Sequence, residues 1–283
     1  MKKSILVVGF NTRPLTYSLK NAGYEVYAVD FFGDLDFYPN VKDSFVLIKE
    51  LKSDYNKIKH KYSNLLAQYT IYMLQKYPEI DYLIIGSGLD DAIEERLSIL
   101  NEIREKNLKI KNLNNDISVI ENARNIENIY RFLKFQRINV PFSIPYKHIK
   151  FYKNKYQFPI IFKKFRSAGG INVNKMRNFE DILSLVNDFD LEVFNPSDWL
   201  IQEYIKGTPV SCTTISNGEK CEVISINSQI IGEKFLNPPG EFIYCGNIVP
   251  ADLTKNEEKA ISKISKLLTQ KLALKGINGF DYV

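Results

Sequence analysis

The sequence predicts an α/β protein in two parts, with an open, doubly wound parallel sheet first and a mixed α+β part second. Two observations support this prediction. From Met1 to about Lys111, short apolar runs alternate with amphipathic helical segments, as in parallel strands joined by helices. From about Ile117, a long run of β-branched residues lies between helices, and the length of 283 residues fits two domains of ordinary size.

A β-α-β unit opens the chain. The segment SILVVGF is a continuous apolar strand that ends at Gly9, and RPLTYSLKNAGY has a helical period that stops at Gly23, a residue suited to a helix C-terminus. The segment EVYAVDFF follows as a second strand, which ends at Asp30. A helix that joins two strands in this way predicts a parallel pair with a right-handed crossover.

Further strands and helices continue the first part. The segments DSFVLI and DYLIIGSG have the apolar character of strands, the residues from Tyr55 to Lys76 have the period of one long amphipathic helix, and DDAIEERLSILNEIR is again helical. The turn after the first strand is GFNTRP, so the GxGxxG fingerprint of dinucleotide-binding sheets is absent. A nicotinamide-dependent dehydrogenase is therefore disfavoured.

The carboxyl ends of the predicted parallel strands carry candidate substrate contacts, because ligands bind beyond that edge of an open α/β sheet. Arg13 follows the first strand and Asp30 ends the second. These two residues are either buried structural partners of each other or substrate contacts. We slightly favour substrate contact, and we expect both residues to lie near each other at this edge.

The second part begins near Ile117. NARNIENIYRFLKFQRINVP is predicted to be a helix that ends before Pro141, VPFSIPY is extended because of its prolines, and NFEDILSLVNDF is a helix with Asn178 as its N-cap. DWLIQEYIKGTPVSCTTISNGEKCEVISINSQII is predicted to be an antiparallel meander with turns at KGTP and NGEK. TKNEEKAISKISKLLTQKLAL is an amphipathic helix with a capping box at Thr254 and Glu257, and GINGFDYV begins one more strand.

The stretch FPIIFKKFRSAGGINVNKM, from Phe158 to Met176, joins an apolar strand through two lysines to a loop with paired glycines. Two interpretations of this stretch are open. The lysines mark the solvated end of a strand and the glycines mark a hairpin, or one lysine and the loop together hold a phosphate chain.

Composition limits the classes of function. Hydrophobic residues make up 45% and charged residues 25% of the chain, which is a globular composition with enough apolar material for a core. The formal net charge of +5 is mildly basic and fits a protein that handles an anionic small molecule. Nucleic acid is not expected as a partner, because no block of basic residues is interleaved with aromatics. A membrane is not expected either, because no apolar run approaches the ~20 residues of a span.

The cysteines and histidines disfavour a metal–thiolate site. The three cysteines, Cys212, Cys221 and Cys245, form no CxxC motif, and the two histidines, His60 and His148, lie far from them in sequence. An odd number of unpaired cysteines fits a reducing compartment. We therefore expect a cytoplasmic protein.

The order of these segments resembles the ATP-grasp superfamily over nearly the whole chain. The linker helix ends in INVP, a PxxxK strand and a glycine loop follow, and QEYIKG, a long helix and GINGFD come after them. Each motif is weak alone, but four in this order are strong. The string TRPLTYSLKNAGYEVYAVDFFGDLD is similar to a branch of predicted ATP-dependent carboxylate ligases related to biotin carboxylase. The resemblance implies a Rossmann-like pre-ATP-grasp domain over residues 1–112 and a C-terminally short ATP-grasp domain over residues 113–283, with lobes of about 113–198 and 199–283.

The resemblance assigns the phosphates of ATP to the lysine strand and its loop. Pro159 fixes the match to PxxxK, so Lys163 holds the place of the lysine that contacts the phosphates. A compact ammonium suits a phosphate oxygen. Gly169 and Gly170 imply a loop whose backbone N–H groups approach the phosphates as an anion nest.

The resemblance assigns the adenine to the QEYI segment. The backbone at Gln202 and Ile205 is expected to pair with the adenine edge, with Glu203 and Tyr204 between them. The acidic residue that commonly holds the ribose is absent beyond the hinge glycine, and Ser211 lies close to its place.

The resemblance also implies a metal ligand and two catalytic candidates. Asp281 matches the first magnesium-binding carboxylate of the family, and Arg13 and Asn247 are the candidates on the substrate and acceptor side. The linker-helix lysine of many members is absent, with Arg124 as its substitute. The second metal motif, Glu-x-Asn, follows GxDxV in the family, whereas this sequence ends at Val283. The expectation is a fragment or truncation, a strand supplied by another polypeptide, or a degenerate nucleotide binder.

The function implied by the resemblance is a carboxylate–amine ligase that uses ATP and Mg²⁺. ATP would convert a carboxylate into an acyl-phosphate, and an amine would attack it. Two alternatives stay open: a carboxylating enzyme similar to biotin carboxylase, and a non-catalytic or truncated ATP- or ADP-binding subunit. The expected partners are a small-molecule carboxylate and an amine, with a homodimer or a complementing C-terminal polypeptide left open.

Overall fold

The computed structural model describes residues 2–151, 157–166, 169–189 and 194–283, except for the side chain of Lys150. The chain divides into two compact units, Met1–Ile117 and Ser118–Val283. In the part of the chain described, no helix combines the length and the apolar character that are needed to cross a membrane.

The first unit contains a five-stranded parallel sheet with the strand order β3-β2-β1-β4-β5. Its strands are β1 (Ser4–Gly9), β2 (Glu25–Asp30), β3 (Asp43–Val46), β4 (Tyr82–Ile85) and β5 (Lys111–Asn112). Its helices are α1 (Arg13–Asn21), α2 (Leu47–Glu50), α3 (Tyr55–Ile58), α4 (Tyr62–Lys76) and α5 (Ile93–Glu105). The predicted parallel pairing of the first two strands is confirmed.

The strand β1 is buried along its whole length, which shows that both faces of the sheet are covered there. Leu6 and Val8 pack with residues of α4 and α5, whereas Ile5 and Val7 pack on the other face with α1. Burial of each of these side chains stabilises the fold by roughly 1.5–3 kcal/mol. The continuous apolar run of the first strand is therefore explained by packing on two faces.

The single helix predicted from Tyr55 to Lys76 is wrong, because the chain turns between α3 and α4. The N–H of Lys61 donates to the carbonyl of Ile58 and closes this turn. The ring of Tyr62, at the start of α4, packs 5.2 Å from the ring of Phe10. This tertiary contact fixes where the second helix begins, which the helical period alone does not reveal.

The second unit contains two four-stranded antiparallel sheets. Its helices are α6 (Ile117–Ala123, which begins at the boundary), α7 (Ile126–Phe135), α8 (Phe179–Asn187) and α9 (Lys255–Lys271). The strands of the first sheet, in the order β6-β9-β7-β8, are β6 (Ser143–Pro145), β7 (Ile160–Lys164), β8 (Val173–Met176) and β9 (Trp199–Glu203). Those of the second sheet, in the order β12-β11-β10-β13, are β10 (Val210–Asn217), β11 (Cys221–Ile231), β12 (Tyr244–Ile248) and β13 (Lys275–Tyr282).

One face of each sheet in the second unit carries the core. On β7 and β9, the rings of Phe162 and Trp199 stack at 4.6 Å in a cluster that includes Ile182 of α8. The second sheet packs against α9, where the hydroxyl groups of Ser265 and Tyr282 lie 2.7 Å apart. Because strand residues alternate between faces, Asp281, the neighbour of Tyr282, lies on the face of β13 away from α9.

Two predictions for the second unit are wrong. The expected linker helix does not begin at Asn122 or continue to Pro141, since the side chain of Asn125 accepts a hydrogen bond from the N–H of Asn128 and caps α7, which ends at Phe135. The expected meander is interrupted at KGTP, because β9 pairs with β6 and β7 and not with β10. Local turn residues cannot distinguish a hairpin from a crossing between sheets.

Several local predictions in the second unit are confirmed. The side chain of Asn178 caps α8, and Thr254 and Glu257 form both hydrogen bonds of a capping box at α9. The NGEK turn joins β10 to β11, with the side chain of Asn217 accepting from two backbone N–H groups and Gly218 at φ +99°.

Candidate functional site

Lys163 and Asp281 come from different sheets of the second unit and interact. Burial lowers the pKa of the Lys163 ammonium, and the Asp281 carboxylate raises it by the smaller amount. The net shift is downward, so Asp281 does not fully offset the cost of removing this charge from water. A half-buried cation whose pKa is lowered in this way favours an additional anion beside it.

A row of polar side chains surrounds Asp281 on one face of the second sheet. Ser211 on β10 is the cross-strand partner of both Asp281 on β13 and Asn227 on β11. Directly opposed residues share a face, so the three side chains form one row across three strands. Gln229 lies two residues beyond Asn227, and its Nε2 donates to Oδ1 of Asp281 at 2.9 Å. The carboxylate is thereby oriented by a neighbour that the sequence analysis missed.

The amide of Asn227 is incompletely satisfied. The side chain is buried, with 5% exposed, and its Nδ2 donates to Oγ of Ser211 at 3.4 Å. Its Oδ1 is buried and has no hydrogen-bond partner among the residues that the structure describes. Leaving a buried acceptor unsatisfied costs about 1–3 kcal/mol.

The donor atoms in this row fit a hard cation, since they are carboxylate, amide and hydroxyl oxygens. Within the described ranges, no group of three or more His, Cys, Asp or Glu side chains is arranged to hold a metal. A metal at this position would therefore depend on Asp281 together with uncharged oxygen atoms. Asn247, the predicted acceptor-side residue, is exposed on β12 opposite Gln229 and extends the same face.

The paired glycines form the turn between β7 and β8, which pair as an antiparallel hairpin. Gly169 has φ +66° and Gly170 has φ +80°. The carbonyl of Gly169 accepts from the N–H of Tyr244 at 3.1 Å, and a Cβ atom at Gly170 would lie only 1.8 Å from the carbonyl oxygen of Phe242. Glycine at position 170 therefore permits a close backbone contact, in addition to the hairpin. Ser167 and Ala168 of the predicted phosphate loop lie outside the described residues.

The predicted adenine segment is held firmly at one end. Gln202 is buried, and its Nε2 donates to Oη of Tyr130 at 3.0 Å and to Oγ of Ser143 at 2.9 Å. The backbone N–H of Glu203 donates to the carbonyl of Phe142 at 2.8 Å. The side chain of Gln202 is thus committed to structure.

Beyond β9, the predicted adenine segment is less constrained. Ile205 is 41% exposed, and its backbone makes no backbone hydrogen bond within the described part of the chain. Tyr204 faces Lys175 of β8, whose Nζ lies 4.4 Å from the centre of the tyrosine ring and 3.3 Å from Oε1 of Glu241. Sequence reasoning missed this lysine, although it lies in the NVNKM segment, on the strand that follows the loop.

In the first unit, Arg13 and Asp30 are not partners of each other. The carboxylate of Asp30 is buried and accepts hydrogen bonds from both the N–H and the hydroxyl group of Thr12, and from two N–H groups after β2. Nη1 of Arg13 lies 3.6 Å from Asp34 and 3.4 Å from Asp36. The interpretation of a mutual pair is therefore wrong, and Asp30 connects the loops after β1 and β2. The role of Arg13 in substrate binding stays a prediction.

Comparisons with known proteins agree with this architecture. The chain is 26% identical to the uncharacterised protein MJ0776 of Methanocaldococcus jannaschii, over 98% of this chain and 63% of that protein. It is similar in structure to an L-amino acid ligase from Bacillus licheniformis, with a TM-score of 0.66 and 17% identity over 99% of this chain and 63% of that one.

A second solved structure with this fold contains nucleotide and metal. It is the biotin carboxylase domain dimer of the Hydrogenobacter thermophilus 2-oxoglutarate carboxylase, in complex with MgADP, ADP and bicarbonate. The TM-score is 0.72 at 14% identity, over 99% of this chain and 60% of that one. The chain thus spans less than two-thirds of the length of these relatives. The family model described as the ATP-grasp domain matches residues 124–283, more than half of the sequence. The chain belongs to the ATP-grasp family.

Proposed function

We propose that this protein is an ATP-dependent carboxylate–amine ligase whose nucleotide site lies in the second unit. The observation that carries the proposal is the electrostatic interaction of Lys163 on β7 with Asp281 on β13, whose carboxylate is oriented by Gln229 and lies opposite Ser211. The phosphates of ATP would supply the missing negative charge at Lys163. Membership of the ATP-grasp family supports this assignment.

The nucleotide contacts follow the geometry of the second unit. Lys163 would bind a phosphate oxygen, and the turn at Gly169 and Gly170 would lie along the phosphates. The backbone of Ile205, which makes no backbone hydrogen bond within the described residues, would pair with the adenine edge, while Gln202 holds the end of β9 in place through its own hydrogen bonds. The position of Ser211 beside Asp281 suits a phosphate or metal contact better than the ribose contact suggested by the sequence.

Charge neutralisation and positioning would carry the reaction. Asp281 would hold Mg²⁺, which supplies positive charge to the phosphates when it is bound. The hydrogen bond from Gln229 restrains Oδ1 of Asp281 and does not involve Oδ2. Lys163 would keep the transferred phosphate near a substrate carboxylate, which becomes an acyl-phosphate before an amine attacks it. Arg13 and Asn247 are proposed contacts of the substrates.

The proposed domain organisation follows the same resemblance. We infer a Rossmann-like pre-ATP-grasp domain over residues 1–112 and an ATP-grasp domain over residues 113–283, with lobes of about 113–198 and 199–283. The parallel strand order β3-β2-β1-β4-β5 supports the first of these. The amine acceptor is favoured by the likeness to an L-amino acid ligase, and a carboxylating reaction is the second candidate because of the bicarbonate complex of the other relative.

Titration with ATP tests the nucleotide site. Lys163→Ala should weaken ATP binding about 10- to 150-fold, since a hydrogen bond to a charged group is worth about 1.5–3 kcal/mol. Lys164→Ala is the matched control, because Lys164 lies on the opposite face of β7, with its Nζ 5.8 Å from the centre of the Trp199 ring. Equal ATP affinity of wild type and Lys163→Ala would reject the assignment.

A ligation assay tests the reaction itself. Release of ADP and phosphate from ATP should require both a carboxylate and an amine from a panel of small molecules. Release that requires bicarbonate and no amine would favour the carboxylating alternative. ATP binding without turnover under any of these conditions would favour a nucleotide-binding subunit.

A further inference from the structure

The buried amide of Asn227 is left unexplained by the fold. Its Oδ1 has no partner in the described part of the chain, and the side chain is 95% shielded, with 5% exposed. In the orientation that the structure shows, Nδ2 is used by Ser211 and Oδ1 is not used by any described residue. Oδ1 is therefore a buried acceptor without a donor among the described residues.

The sheet places this amide in the same row as the Asp281 carboxylate. Asn227 and Asp281 are both cross-strand partners of Ser211, on opposite sides of it. Neighbouring strands lie about 4.8 Å apart, so the Cα atoms of Asn227 and Asp281 are about 10 Å apart across the row. An ion that retains some of its water molecules can be held from both ends of this row, because one ligand can act through a bound water.

The side-chain oxygen atoms of this row suit a hard cation. Asp281 supplies one negative charge, and Gln229 donates to its Oδ1 and not to its Oδ2. Asn227 and Ser211 add uncharged oxygen atoms in the same row. Carboxylate, amide and hydroxyl oxygens favour Mg²⁺ or Mn²⁺ over metals that prefer sulfur or nitrogen.

We propose that Asn227 is a cation-binding residue of this protein, and that its Oδ1 joins Asp281 in holding one divalent ion, directly or through a bound water. The inference rests on the proposed function, because the phosphates of ATP held by Lys163 would complete the surroundings of the ion. It adds an amide ligand on β11, upstream of the GINGFDYV strand.

The test measures ATP affinity with and without Mg²⁺ for two variants of Asn227. In Asn227→Leu, ATP affinity without Mg²⁺ should stay within about twofold of wild type. The increase in affinity caused by Mg²⁺ should fall about 10- to 100-fold, which is the usual loss when a group that supports a metal is removed. The melting temperature without ligand should not decrease, because the unsatisfied buried acceptor is gone.

Asn227→Asp separates a cation from an anion as the ligand of this amide. A cation ligand predicts that the variant retains or strengthens the effect of Mg²⁺, and that Mn²⁺ bound in the presence of ATP remains visible by electron paramagnetic resonance. If the amide instead donates a hydrogen bond to a phosphate of ATP, this variant should lose affinity for ATP both with and without Mg²⁺. That result would overturn the inference.

Ser225→Ala is the matched control. Ser225 lies on the same face of β11, two residues from Asn227, and it pairs with Thr213 in the next row. The control should respond to Mg²⁺ as wild type does. A loss equal to that of Asn227→Leu would show a general distortion of the sheet and would overturn the inference.

The outcomes also separate this inference from the proposed function. If wild type binds ATP and Asn227→Leu keeps the full effect of Mg²⁺, the inference fails and the nucleotide site stands. If wild type does not bind ATP at all, the proposed function fails and the inference fails with it.

Discussion

Substitution of Gly170 by alanine tests whether the turn between β7 and β8 must approach residues 242–244 closely. Two costs add at this position. Its φ of +80° is a left-handed conformation, which costs an alanine about 1–2 kcal/mol. The added Cβ would also lie 1.8 Å from the carbonyl oxygen of Phe242, so the two backbones must separate. Such overpacking costs about 1–3 kcal/mol more, for a total of about 2–5 kcal/mol.

Gly169 provides a matched control in the same turn. Its φ of +66° carries a similar strain, but an added Cβ would meet nothing within 4 Å. We expect Gly169→Ala to lose only about 1–2 kcal/mol. The difference between the two variants isolates the close contact from the conformational strain.

The assay is chemical unfolding of both variants, followed by fluorescence of Trp199, the single tryptophan, which lies on β9 in the same unit. Gly170→Ala should unfold at a clearly lower denaturant concentration than Gly169→Ala. It should also bind ATP more weakly, because the turn is displaced from its position beside Lys163. Equal stability of the two variants would refute the reasoning, since it would show that the turn does not need the contact with Phe242.

Two further predictions concern buried polar groups. Burial lowers the pKa of Lys163 in the folded state below its ordinary value of 10.5. Below the lowered pKa, the charged lysine therefore reduces the free energy of unfolding by its full amount. This destabilisation disappears as the pH rises from the lowered pKa to 10.5. Lys163→Met should therefore stabilise the ligand-free protein at pH 7, and the gain in stability should decrease towards pH 10.5. Thermal unfolding of both proteins across this pH range tests the prediction, and a gain that does not change with pH would contradict it. Gln202→Leu should destabilise the fold by about 1–3 kcal/mol, because the hydroxyl groups of Tyr130 and Ser143 lose a donor; urea unfolding that matches wild type would show that both hydroxyl groups find other partners.

The sequence predicted those features that depend on neighbours along the chain. The first β-α-β unit, the caps at Asn178 and Thr254, and the NGEK hairpin are local, since a few adjacent residues supply both the hydrogen-bond donors and the acceptors. The order of motifs also sufficed to predict ATP-grasp membership, which the family match confirms. Lys163 and Asp281 were identified as candidates by their motifs, while their roles remain predictions.

The tertiary structure decided what pairs across long separations. Whether KGTP forms a hairpin depends on β6 and β7, which compete for β9 and place it in a different sheet from β10. Gln229 and Asn227 belong to the candidate site only because the register of β10 with both β11 and β13 brings them beside Asp281. A strand sequence indicates which residues share a face, but not which strand lies next to it. Strand pairing depends on contacts between distant segments, which are therefore fixed only when the whole unit folds.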